Sequence, residues 1–255
     1  MNCYPHQYIE RHSGRIRTEK LFGDHLIQWL YSPIRERADW LFQHLTGATA
    51  SRTLAHFNFD MPLGGRTFGN RRFLEEVGVN LGECLDPAEQ LNTARKVFER
   101  RIRYWDCRPM PKNPEVVVSP ADARVLVGSL CEGNHYFIKE KFFSFRELIG
   151  PSKEQWLHTF AAGDFAIFRL TPDKYHYNHL PVSGRVVDFF SVSGAYHSCN
   201  PGAIIEIATP YSKNKRVVTI IDTDVPDGTQ VGLVAMIEVV ALMIGDIVQC
   251  YSHDG

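Results

Sequence analysis

The chain has 255 residues, 44% hydrophobic and 22% charged, the composition of an ordinary globular protein with apolar surface for one large core or two small ones. Its net charge of -1 supplies no bulk basic field, so nucleic acid is not an expected partner. The six cysteines (Cys3, Cys84, Cys107, Cys131, Cys199, Cys250) are scattered without a CxxC pair, which excludes a small disulfide scaffold and reads as reduced thiols in a cytoplasmic protein.

The first residues, MNCYPHQYIERHSGR, are polar and lack the apolar stretch of a secretory signal. Asp24 then caps a helix through His25 to Tyr31, and Ser32-Pro33 starts a second helix whose Ile34, Ala38, Leu41, Phe42 and Leu45 share one face. That helix also carries Trp40 beside Arg35 and Arg37, a mixture suited to a lipid interface as well as to packing on a core. Residues 51–83, rich in Gly, Asn, Arg and Phe, read as irregular, with one short helix over 70–77. Asp86-Pro87-Ala88-Glu89 carries a capping aspartate, a first-turn proline and an acidic third position, and predicts a helix reaching Arg103 with Leu91, Ala94, Phe98 and Ile102 buried.

After Pro109-Met110-Pro111 the pattern turns extended. Strands are predicted at Val116–Val118, Arg124–Leu130, Tyr136–Lys139, Phe165–Leu170, Val186–Val192, 203–208 and Arg216–Asp222, with short helices over 144–148 and 152–160. The apolar run Val231–Val248 approaches spanning length, but Glu238 at its centre costs about 2.5–3.5 kcal/mol on insertion, and two buried strands suit it better. The expected fold class is therefore α+β: a helical N-terminal leader (residues 1–110) followed by a β-rich body (residues 111–255). The protein is expected to be cytoplasmic, free or peripheral at a membrane.

Chemistry concentrates between Leu170 and Pro201, where His176, His179, His197 and Cys199 fall close together. Imidazole and thiolate suit zinc, but residues three apart on a strand face opposite ways, so His176 and His179 share a metal only across a bend. The plain alternative is histidines satisfied by backbone partners or solvent. Asp122, in the turn Ser119-Pro120-Ala121-Asp122, either bonds its own backbone or orients a histidine, and His176 and His179 are the candidates. Lys139, Lys141 and Arg146 read as a solvated face and the run Lys213, Lys215, Arg216 as a hairpin loop, with contact to anionic headgroups the alternative for either.

In order, VVVSPADARV resembles the S/C-P-A-D-G turn of the phosphatidylserine decarboxylase family. FFSFRELIG, the Y-H-x-x-H-x-P-x-x-G block at Tyr175–Gly184, YHSCNP and VVALMIGDI resemble its later motifs. The resemblance covers Pro114 to Ile247. It implies a carboxy-lyase, made as a proenzyme that cuts itself before the serine of a G-S-T motif. That serine becomes a covalent pyruvoyl group, which forms a Schiff base with the substrate amine and draws off the electrons left when CO₂ departs. Asp122 and His179 match the residues that act with the serine in self-cleavage, and His176 the histidine associated with decarboxylation.

Two local departures are Ala123, where the family has glycine, and Asp246, where it has serine. No G-S-T occurs in the chain, so the pyruvoyl-forming serine is absent, and the expectation is a protein truncated before its cleavage site. By itself this chain is expected to be inactive. The implied partners are a phospholipid substrate, a membrane surface contacted peripherally and the small pyruvoyl-bearing chain of the same proenzyme. No metal is expected. A pyruvoyl enzyme acting on a free amino acid, or a non-catalytic remnant that binds lipid, are the other readings.

Overall fold

The computed structural model describes residues 7–18, 47–56, 60, 74–75, 78–130, 135–138, 141–171, 173–197 and 210–250. The helices predicted over 24–31 and 32–45, and the strand over 203–208, lie outside them.

The scaffold is a three-stranded antiparallel sheet in which β8 (Arg216–Asp222) lies between β7 (Arg185–Val192) and β9 (Leu233–Val239). A central strand must be covered on both faces, and the run from Val217 to Ile221 is buried throughout. Val218 and Ile220 pack with Leu130, Phe145 and Ile149 into the main core. Trp156, Leu157 and Phe160 close it from one side.

Phe145 and Ile149 lie on the short helix α4 (Phe145–Ile149), and Trp156 and Leu157 on α5 (Glu154–Thr159), with Phe160 just past its end. The Ser144 hydroxyl accepts the Glu147 amide at the start of α4, and Gly150 ends it at φ 103°, a conformation glycine adopts without a Cβ clash. A β-bulge between Val186 and Asp188 re-aims the Asp188 carboxylate at α5, where Lys153 Nζ and Trp156 Nε1 donate to it at 2.8 and 2.7 Å. Two further antiparallel pairs flank this unit: β3 (Arg124–Ser129) with β6 (Asp164–Arg169), and β4 (His135–Ile138) with β5 (Lys141–Ser144). The molecule is α+β, as expected.

Among the described residues of the N-terminal part, several segments depart from the sequence expectation. Residues 7–18 form a hairpin of β1 (Gln7–Ile9) and β2 (Ile16–Thr18). A helix, α1 (Ala48–Ala55), occupies part of the stretch read as irregular. The helix predicted from Asp86 to Arg103 shrinks to α2 (Ala94–Phe98), capped by Thr93, followed by the single turn α3 (Tyr104–Cys107). A continuous helix there would hold its ends about 26 Å apart at 1.5 Å per residue. Instead Cys84 and Ile102 are bridge partners, and Leu85 and Arg103 donate backbone hydrogen bonds across the gap. Tertiary pairing overrides a good capping sequence, and Asp86 pairs with Arg101.

Two further expectations are corrected in the body. Val116–Val118 joins no ladder, although the Val118 amide donates to the Pro181 carbonyl. The run 231–248 gives one strand, β9, and then a tight turn in which Ala241 bridges Ile244 and Met243 takes φ 68°. Among the described residues no helix is long and apolar enough to cross a membrane.

Candidate active site

Residues 118–120 and 179–181 run alongside each other, tied by Val118 N to Pro181 O (2.9 Å) and His179 N to Pro120 O (2.8 Å). This pairing brings the Asp122 turn to the histidine loop, two segments about sixty residues apart in sequence. The Asp122 carboxylate is engaged by an arginine. Arg108 Nε donates to both carboxylate oxygens (2.8 and 3.0 Å) and Nη2 to Oδ2 (2.8 Å). The same guanidinium donates to Glu83 (3.1 and 3.4 Å) and to the Cys107 carbonyl (2.8 Å). These hydrogen bonds to Asp122, partly offset by burial, hold the Arg108 pKa above its ordinary value.

The His179 ring lies against Tyr104 (centroids 5.0 Å apart) and Tyr175 (5.8 Å). Its Nε2 is buried with no hydrogen-bond partner among the described residues. Burial lowers its pKa, and the nearby Asp122 charge works the other way. A neutral imidazole with a free nitrogen can accept a proton. The Tyr175 hydroxyl, desolvated and surrounded by Tyr177, Tyr104 and Asp122, is pushed up to about 12 and stays protonated.

His176 points elsewhere. It stacks on Phe98 at 3.7 Å, and its Nδ1 lies 2.8 Å from the Lys174 carbonyl, so Nδ1 carries the proton and donates. Burial pushes its pKa down to about 4, against the Lys174 hydrogen bond, with Arg100 adding to the fall. Nδ1 is thereby committed to structure, and only Nε2 remains for chemistry.

Polar groups from distant elements hold this loop. Arg100, buried, donates to the Asp173 carbonyl and to the Val97 carbonyl. Asn178, between the two histidines, donates to Glu238 of β9 at 3.0 Å, and Gln249 donates to the other carboxylate oxygen at 2.9 Å. The carboxylate that argues against a membrane span therefore anchors the loop. The sequence reading did not single out Arg100, Arg108 or Asn178, and assigned Glu238 no site role. Arginines in a basic run and an amide between histidines carry no local signal of their partners.

His197 is held at the start of β8, not with the other two. Its amide donates to Asn214 Oδ1 (2.9 Å), and Asn214 Nδ2 returns to the carbonyls of His197 and Val240 (both 2.8 Å). Gly194 permits the approach, since a Cβ there would sit 2.3 Å from the Lys213 carbonyl oxygen. Tyr196 packs on Gly245, where a Cβ would meet its ring at 2.9 Å, so two of the family-like motifs touch. Cys199 lies outside the described residues. Among the described residues no three His, Cys, Asp or Glu side chains gather as metal ligands.

A family model described as phosphatidylserine decarboxylase matches residues 94–255. The phosphatidylserine decarboxylase proenzyme of Fusobacterium nucleatum is 29% identical over 99% of this chain and 80% of its own length. That of Brevibacillus brevis is 31% identical over 71% of this chain and 63% of its own length. Phosphatidylserine decarboxylase proenzyme 3 of Schizosaccharomyces pombe is 29% identical over 93% of this chain, which spans 24% of that relative.

Proposed function

The chain belongs to the phosphatidylserine decarboxylase family, and from that membership we infer that its activity is that of a carbon–carbon carboxy-lyase, removing CO₂ from phosphatidylserine to give phosphatidylethanolamine. The observation that carries the reading is the family match across residues 94–255, which includes Asp122, His176 and His179. In this reading residues 1–110 are an N-terminal region and 111–255 the decarboxylase body. The pyruvoyl-forming serine comes from sequence outside these 255 residues, and the small chain bearing it is the second partner after the phospholipid. Contact with the membrane that holds the substrate is peripheral.

Two observations support a place for a pyruvoyl group beside this loop: the buried, unpartnered Nε2 of His179 and the aromatic wall of Tyr104 and Tyr175. Such a group, when bound, supplies an acceptor for the electron pair that departing CO₂ leaves on carbon. The chain's own residues handle protons. His179 takes the hydroxyl proton of the serine during self-cleavage, because an alcohol is a poor nucleophile without a base. Asp122 sets the electrostatic surroundings of that base. His176, with Nδ1 held by Lys174 and the ring neutral at rest, has only Nε2 for proton relay: it would take up a proton from solvent there and pass it to the carbon that has lost CO₂.

The test is to express the full-length gene product containing these residues and supply phosphatidylserine vesicles or a panel of free amino acids. Phosphatidylethanolamine and CO₂ from the vesicles alone are expected. Turnover of a free amino acid instead, or of neither, overturns the assignment.

A further inference from the structure

We propose that Arg108 is a positioning residue of this site: its guanidinium, anchored on Glu83 and the Cys107 carbonyl, grips the Asp122 carboxylate, fixes its orientation and tempers the charge it presents to His179. The inference rests on the reading that Asp122 and His179 act together.

Arginine is suited to the task because its donors lie in one rigid plane. A carboxylate held through both oxygens, here at 2.8 and 3.0 Å from Nε with Nη2 at 2.8 Å, has its orientation fixed. Glu83 and the Cys107 carbonyl engage the same guanidinium, so the grip is itself braced. Lysine can supply the charge but not the plane.

The groups facing His179 are Asp122, Tyr104 and Tyr175, with Tyr177 behind Tyr175, and Arg108 and Glu83 behind Asp122. Tyr175, its pKa pushed up to about 12 by burial, stays protonated, so His179 senses the balance within the Arg108–Asp122 pair. With the guanidinium present, the charge Asp122 presents to the ring is partly balanced, and His179 keeps the neutral form a base requires. Without it, a bare carboxylate stands beside the imidazole and favours the imidazolium.

Histidine-ring NMR titration of the 255-residue chain tests this directly. Arg108→Gln is expected to raise the His179 pKa by about one unit, the lower end of what a close opposite charge produces. His176 should not move, because it faces Phe98, Arg100 and Asp173. Arg108→Lys should shift His179 the same way by less, and Asp122→Asn added to Arg108→Gln should abolish the shift. An unmoved His179 in folded Arg108→Gln, or in Arg108→Lys if the first variant does not fold, overturns the proposal. A shift that survives Asp122→Asn overturns it too. Because the readout is a titration, it stands apart from the functional reading, which fails if His179→Ala leaves self-cleavage of the full-length product intact.

Discussion

The β7–β9 sheet and the histidine loop before it are neighbours in sequence and are held in opposite ways. In the sheet, β8 pairs continuously with β9 from Arg216 to Asp222, and apolar side chains fill the space behind it. From Thr171 to Gly184 no described residue lies in a strand or helix. That loop is fixed by single polar anchors, each from a different part of the chain: Arg100 at Asp173, Glu238 at Asn178, and residues 118–120 at His179 and Pro181. A sheet survives the loss of one contact because the rest of the ladder remains. A loop placed by separate anchors keeps its polar atoms available and can lose its geometry one anchor at a time. The two regions should therefore respond to mutation differently.

The largest stability effect belongs to the sheet. Ile220 is fully buried in the main core, and Ile220→Ala should cost about 2–5 kcal/mol, read as a fall in the urea unfolding midpoint. His179→Ala should do the reverse: little change in that midpoint, but no self-cleavage of the full-length gene product. If the His179→Ala protein splits fully and rapidly, the ring is not the base. If Ile220→Ala unfolds no more easily than the parent, the sheet is not the stabilising unit.

Asn214 tests the seam between scaffold and site. It is completely buried, and its amide ties His197 to Val240. Asn214→Ala leaves the His197 amide and two carbonyls without this partner, at a cost of about 1–3 kcal/mol for a buried group so stranded. The damage should be local. Hydrogen exchange at the His197 amide should quicken while that of Val218 stays slow, and equal acceleration at both would show that Asn214 belongs to the global core.

The same division explains what the sequence made legible. Arg216–Asp222 announces itself because a buried central strand needs apolar side chains on both faces, and the helix at Phe145 because Ser144 can cap it. The Asp122 turn and the two histidines stand out by residue type, and the ordered motifs gave the family. The long helix expected from Asp86 did not form, because Cys84 and Ile102 meet across it. Nothing near Asp86 encodes that pairing. Nor does the sequence around Asp122 indicate that its partner is Arg108 rather than a histidine, since the choice depends on how residues 78–108 fold back. Local pattern specifies the scaffold, while the anchors of the site are long-range facts.

The smallest predicted effect concerns His176 and its dependence on pH. Its folded-state pKa is pushed down to about 4 from an ordinary 6.5, chiefly by burial. Between those values the unfolded chain takes up a proton that the folded protein refuses. The stability contributed by keeping this ring neutral is thus present in full above pH 6.5 and is lost as the pH falls toward 4. Phenylalanine in its place can keep the stacking on Phe98, 3.7 Å away, but cannot titrate. Comparing urea unfolding at pH 7 and pH 5 should therefore show a smaller loss for His176→Phe than for the parent. His179 and His197, whose pKa values burial also lowers, remain in both proteins and cancel in the comparison. The carboxylate of Asp188, held low by Lys153 and Trp156 against the opposing effect of burial, stays ionised at both pH values. An identical loss in the two proteins would mean that His176 is protonated as readily in the folded chain as in the unfolded one, and that it is not the neutral proton donor-acceptor proposed for the decarboxylation step.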